Sequence, residues 1–238
     1  MKIDHVGMFA IVGRPNVGKS TLLNALTGEK IAIVSDKPQT TRSRIMGIVN
    51  RDGGQYVFVD TPGFHKARTR LGDYMVELVE ETVTDTDAVI LVVEPKPAGI
   101  PEKILIDNIR TSGLPCILVI NKIDTVTPAD LLPVIADYQE RLDWRAVIPV
   151  SARKNDGLEI LMQELTALLA PGEALFPEDM RSDQPERVLA AEIIREKLLW
   201  RLEREIPHGT AVLIEKYEHD DAGILHISAT IFIERKSH

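Results

Sequence analysis

Gly13-Arg14-Pro15-Asn16-Val17-Gly18-Lys19-Ser20 follows the apolar run 8–12 and opens a helical pattern over Lys19–Thr27. Glycines in a loop between a buried strand and a helix let backbone N–H groups turn inward, and the helix N-terminus adds positive potential. That arrangement suits a phosphate chain. Lys19 is placed to reach β- and γ-phosphate oxygens, and the Ser20 hydroxyl to sit on Mg²⁺. Gly13, Arg14, Pro15, Asn16, Val17, Gly18, Lys19, Ser20 and the following Thr21 form the candidate phosphate-binding set, with Lys19 the candidate catalytic cation. A chance pairing of Gly and Lys in a loop is the alternative. The strand before it and the helix after it argue against that.

Working outward, further apolar runs suited to buried parallel strands lie at 56–60, Ala88–Val93, Cys116–Ile120 and 147–150. Helical patterns at 71–84, 102–111, 128–142 and 157–169 fall between and after them. Strands alternating with helices predict an α/β, doubly wound sheet with ligands at the carboxyl ends of its strands. With the loop of Gly13–Ser20 this is a P-loop NTPase pattern, expected to span residues 1–172. Pro171, Gly172, Pro177 and Pro185 punctuate a polar stretch, 173–184, read as a linker. A second, smaller α+β domain is expected over 185–238. It comprises a helix at 186–204 with an apolar stripe of Ala191, Ile194, Leu198 and Leu202, then two strands. The later strand alternates, with Leu225, Ile227, Ala229, Ile231 and Ile233 on one face. A helix and one hairpin bury such faces incompletely.

The chain has 238 residues, 44% of them hydrophobic, enough for one good-sized core and a small second one. No apolar run is long enough to span a bilayer, and the start lacks the pattern of a secretory leader, so a soluble cytoplasmic protein is expected. The single Cys116 sits inside an apolar run, where a buried core thiol is expected. Net charge is −8, which gives no overall basic footprint for nucleic acid.

Three more motifs fall at strand ends. Asp60-Thr61-Pro62-Gly63 offers a carboxylate for Mg²⁺ and, at Gly63, an N–H for the γ-phosphate. Asn121-Lys122-Ile123-Asp124 decides the base: a carboxylate accepts from guanine N1–H and the N2 amine, a donor pair that adenine lacks. The Lys122 stem can cover the base plane, and Asn121 can tie its loop to the phosphate loop. Ser151-Ala152 gains weight only from its position, where the Ala152 N–H is placed for guanine O6. In Lys37-Pro38-Gln39-Thr40-Thr41-Arg42 either Thr40 or Thr41 is placed to add a ligand to Mg²⁺ when a γ-phosphate is present. Catalytic candidates are therefore Lys19, Thr41 and Gly63; metal candidates are Ser20, Thr40, Thr41 and Asp60.

With these motifs in place, the sequence resembles the Era family of bacterial GTPases. The resemblance is carried by Gly13–Ser20, Gln39-Thr40-Thr41-Arg42, Asp60-Thr61-Pro62-Gly63-Phe64-His65-Lys66, Asn121–Asp124 and Ser151-Ala152. It continues through Glu186-Arg187-Val188, Glu205-Ile206-Pro207-His208 and Ile231-Phe232-Ile233-Glu234-Arg235. It implies Mg²⁺-dependent hydrolysis of GTP to GDP, and a type II KH-like second domain that binds the 3′ end of 16S rRNA. It further implies a role in assembly of the 30S subunit, a monomer, and peripheral association with the inner face of the cell membrane. A KH domain clamps RNA with a Gly-x-x-Gly loop, and none occurs after Gln184. From Pro185 onward there are eight Lys/Arg against ten Asp/Glu. The expectation is a chain cut within the KH domain that binds RNA poorly. Phe64 stands where Ras-like proteins carry the water-orienting Gln. Asn16 matches a residue that in related GTPases helps bind K⁺ beside the phosphates.

Overall fold

In the structure, a computed structural model, residues 2–34, 44–61, 85–201 and 210–233 are described. The sheet is built from β1 (His5–Val12), β2 (Ile45–Arg51), β3 (Gly54–Asp60), β4 (Ala88–Val93), β5 (Cys116–Ile120) and β6 (Ala146–Pro149). They lie in the order β2-β3-β1-β4-β5-β6, and a short β7 (Ala170–Pro171) pairs with the start of β1. All neighbours from β3 to β6 are parallel; β2 runs antiparallel to β3. The helices are α1 (Lys19–Thr27), α2 (Ile100–Ser112), α3 (Pro128–Gln139), α4 (Leu158–Thr166) and α5 (Glu186–Arg201).

The period-2 geometry of the strands sorts the core into two layers. Phe9, Ile11, Phe58 and Ile90 point to one face and pack with Leu22 and Leu23 of α1 and Leu161 and Leu165 of α4. Ala10, Val12, Leu91 and Leu118 point to the other and meet Leu105 and Ile109 of α2 and Val134 and Tyr138 of α3. Both layers are buried, so the central strands read as unbroken apolar runs rather than alternating ones. Cys116 lies in the second layer, and burial pushes its thiol up to about 12, which keeps it protonated and unreactive at neutral pH.

Two features differ from the sequence reading. β2 was not expected: Ile45-Met46-Gly47-Ile48-Val49 has neither clean alternation nor an uninterrupted run, and Gly47 interrupts it. Gly47 is nonetheless required, since a Cβ there would fall 2.7 Å from the ends of Ile31 and Leu23. The stretch 173–184 is not a free linker but a strap along the β2 edge. Ile48 N–H donates to Arg181 O (2.9 Å) and Met46 N–H to Asp183 Oδ1 (2.9 Å), while Gly47 and Ser182 form an antiparallel bridge. The fully buried Gln55 side chain accepts from Leu175 and Phe176 N–H (2.7 and 2.9 Å).

Beyond the strap, α5 packs on β8 (Thr210–His219), which pairs antiparallel with β9 (Leu225–Ile233). Arg187 donates through Nε to Ile214 O (3.1 Å) and Tyr217 O–H to Glu186 Oε2 (3.0 Å), so helix and strand are stitched by polar contacts. The expected stripe of Ala191, Ile194 and Leu198 is only half-buried. The buried side chains of α5 are Arg195, Glu196 and Leu199, and Leu202 lies outside the described residues. In β9 the alternating row is not a buried face, for Ile227, Ile231 and Ile233 all remain exposed.

Candidate functional site

The phosphate-binding candidates sit where β1 gives way to α1. Gly13 and Gly18 take φ +154° and +100°, and each is closely approached. A Cβ at Gly13 would lie 2.4 Å from Val92 O, and one at Gly18 2.3 Å from Asn121 Nδ2. No residue with a side chain fits either place. Lys19 folds back under the loop, its Nζ donating to the carbonyls of Gly13 and Arg14 at 3.1 Å. Arg14 is tied outward to the buried Glu102 carboxylate of α2, while the Val17 side chain is packed in the core. Pro15 is half-buried, and Asn16 is exposed with φ +65°.

At the end of β3 the Asp60 carboxylate is fully buried. Ser20 Oγ donates to its Oδ2 (2.7 Å), while Oδ1 has no hydrogen-bond partner. Burial pushes Asp60 up to about 6 and Lys19 down to about 8, each opposed by the other's charge. An unsatisfied buried carboxylate oxygen beside a serine hydroxyl is a donor set that fits Mg²⁺, a hard cation that takes oxygen ligands. Thr61 belongs elsewhere. Its hydroxyl donates to Ile11 O (3.0 Å) and its side chain is buried, so it fastens β3 to β1 rather than facing a ligand. Thr40, Thr41, Pro62, Gly63 and Phe64 lie outside the described residues.

The base-reading candidates converge from β5 and β6. Asn121 Nδ2 donates to Val17 O (2.9 Å), which joins this loop to the phosphate loop. Its Oδ1 accepts the Ala152 N–H (3.0 Å), so the donor expected to meet guanine O6 is engaged by Asn121 here. Ser151 Oγ donates to Asp124 Oδ1 (2.7 Å), orients the carboxylate and holds it below the usual range. Lys122, at φ +65°, donates to Asn16 O and to Glu94 Oε1, both at 2.6 Å. Asn121, Lys122, Asp124 and Ala152 line one cavity of about 810 Å³ together with Gly18 and Thr21.

Sequence reasoning missed three residues that hold this arrangement. Asn24 of α1 bonds the Ile31 and Ala32 N–H groups and the Ala32 carbonyl, fixing the segment after α1. Glu102 caps α2 at Gly99 N (3.0 Å) while it holds Arg14. Glu94, at the end of β4, accepts from Lys122 and Lys96 and bridges the two ligand loops; these donors hold its carboxyl below the usual range against the opposing effect of burial. A single acidic residue after an apolar strand was the only signal. The Glu94→Gln variant is expected to bind GDP about three- to tenfold more weakly, since one partly screened charge contact on Lys122 is lost. Isothermal titration against Glu94→Asp checks this, and equal affinity of Glu94→Gln and the parent would contradict it.

A strand–loop–helix phosphate cradle, a buried Lys19 and Asp60 joined by the half-buried Ser20, and a carboxylate set for guanine define a P-loop GTPase. The family described as 50S ribosome-binding GTPase matches residues 8–122. GTPase Era of Ruminiclostridium cellulolyticum is 43% identical over 233 residues, covering 98% of this chain and 78% of that relative. GTPase Era of Syntrophus aciditrophicus is 48% identical over 233 residues, covering 97% and 76%. A crystal structure of Era in complex with MgGDPNP and nucleotides 1506–1542 of 16S ribosomal RNA aligns with TM-score 0.91 at 37% identity. That alignment covers 98% of this chain and 80% of the other. The chain belongs to the Era family of GTPases: it is an enzyme that hydrolyses GTP to GDP and phosphate.

Proposed function

We propose that this GTPase acts in small-subunit ribosome assembly, with its nucleotide state governing contact with the 3′ end of 16S rRNA. The observation that carries the reading is the alignment with the RNA-bound Era structure, which covers nearly the whole chain, α5, β8 and β9 included. In this reading residues 1–172 form the GTPase domain, 173–184 the strap, and 185–238 the N-terminal part of a type II KH-like RNA-binding domain. Residues 185–238 carry no excess of Lys and Arg, so shape and base contacts rather than bulk charge would supply RNA affinity. A monomer, and any peripheral contact with a membrane, rest on the resemblance. Among the described residues no helix is long and apolar enough to cross one.

The roles follow from the chemistry of each group. The N–H groups of Gly13–Ser20 and the Lys19 ammonium hold the β- and γ-phosphates, and the γ-phosphate draws Lys19 off the Gly13 and Arg14 carbonyls. Ser20 and Asp60 hold Mg²⁺, with Thr40 or Thr41 adding a ligand; the ion neutralises charge on the phosphate oxygens when bound. Asp124, oriented by Ser151, reads the guanine N1–H and N2 amine. Asn121 holds that loop to the phosphate loop, and Ala152 closes the cavity beside it. The Gly63 N–H meets the γ-phosphate. Phe64 cannot orient water, so positive charge at the phosphates would carry hydrolysis; Asn16 would help hold a K⁺, which would supply such charge when bound.

The test is phosphate release by the full chain in KCl and in NaCl, with and without an RNA oligonucleotide of the 16S 3′ end. Turnover is expected to be at least about tenfold faster in KCl, and the RNA to alter it. Equal rates in both salts would remove the K⁺ role. Indifference to the RNA would remove the ribosomal reading and leave a nucleotide-binding module with no RNA-linked activity.

A further inference from the structure

The cavity that holds the base-reading residues does not end with them. Its lining continues past Lys30 and Val34 to Glu196 and Trp200 of α5. These two α5 residues also join α5 to the GTPase layer. Glu196, with a fully buried side chain, accepts from Lys30 Nζ (2.5 Å) through Oε2 and from Val34 N–H (2.9 Å) through Oε1. Trp200 Nε1 donates to Val34 O (3.2 Å). A buried carboxylate that loses its partners is costly, so the Glu196 contacts fix the helix at the cavity rim.

Trp200 sits there in an unusual state. It is 52% exposed. Its ring is nevertheless held in place, with Nε1 bonded to Val34, Lys197 Nζ 4.1 Å from the ring centroid and Lys30 Nζ at 6.0 Å. A large apolar ring fixed beforehand and facing a cavity is a wall that loses little freedom when a ligand arrives. Guanine is matched to Asp124 and the phosphates to Gly13–Ser20, so the ribose is the one part of the nucleotide without an assigned partner. Lys30, Val34 and Trp200 belong to the part of the lining without an assigned ligand.

We propose that α5 is part of the nucleotide site: Trp200 closes over the ribose edge of bound GTP or GDP, with Lys30 held beside it by Glu196. This rests on the guanine-nucleotide reading of the same cavity. It makes α5 a direct determinant of how long the nucleotide stays bound.

Two readouts on the full chain test it: release of radiolabelled, unmodified GDP, and tryptophan emission on adding GDP. Trp200→Ala is expected to release GDP about three- to tenfold faster, the loss of one aromatic contact. Trp200→Phe should stay within about twofold of the parent, because a ring is retained. The emission change seen in the parent should vanish in Trp200→Phe, which keeps Trp144. The inference is overturned if the parent binds GDP but Trp200→Ala releases it at the parent's rate. It is equally overturned if the emission change persists in Trp200→Phe. Should Trp200→Ala fail to fold, the emission comparison decides alone. A parent that retains no GDP would instead sink the guanine reading, and that result appears before any variant is compared.

Discussion

The Asp124→Asn variant is expected to lose about two to three orders of magnitude in GDP affinity and to gain affinity for xanthosine diphosphate. Guanine presents two donors, N1–H and the N2 amine, to a group that must accept both. The Asp124 carboxylate does so, with Ser151 Oγ on Oδ1 setting its plane. An asparagine keeps one acceptor but turns a donor toward the N2 amine, leaving two donors facing each other. Xanthine carries a carbonyl at that position and meets the new donor. Competition of GDP and xanthosine diphosphate against a labelled nucleotide measures both changes. Unaltered preference for GDP would mean that Asp124 does not read the base.

Lys19→Ala should lower GTP turnover by about two to three orders of magnitude, the cost of one charge-stabilising donor at the reacting phosphate. A second readout separates this role from a structural one. Lys19 is buried against two loop carbonyls and its ammonium is pushed down to about 8 by desolvation, so the fold holds this charge at a cost. Its removal relieves that cost but takes the counter-charge from the buried Asp60, so the melting temperature of the nucleotide-free protein is expected to change little. Loss of activity with a large fall in that temperature would show that the loop, rather than the chemistry, depends on Lys19.

The α/β fold was legible because both faces of the sheet are covered. A strand such as Ala88–Val93 then has no polar position to blur its run, and motifs at its end announce a ligand site. β2 was not legible, since an antiparallel edge strand with Gly47 in its middle meets neither pattern. The strap was missed for a related reason: it is held by backbone groups and by Gln55, Asn50 and Asp183, and hydrogen bonds leave no apolar period. Within the site, Lys19, Asp60, Asn121 and Asp124 could be named from spacing alone. Glu94, Glu102 and Trp200 could not, because each acquires its task from a residue far away in the chain, and Asn24 could not, because only the turn after α1 brings Ile31 and Ala32 to it. Glu196 shows this most clearly. On a helix it reads as one more solvated acid, and only the fold places Lys30 and Val34 against it.

The strap along β2 bears on how α5 reaches the cavity. A free coil of that length would let its far end wander over about 20 Å, and α5 would meet Val34 and Lys30 only intermittently. Docked on the edge strand, the same residues deliver Glu186 to nearly one place. Most of the entropy of bringing Glu196 and Trp200 to the rim is then lost when the strap folds, not when the helix arrives, which raises their effective concentration at the nucleotide site.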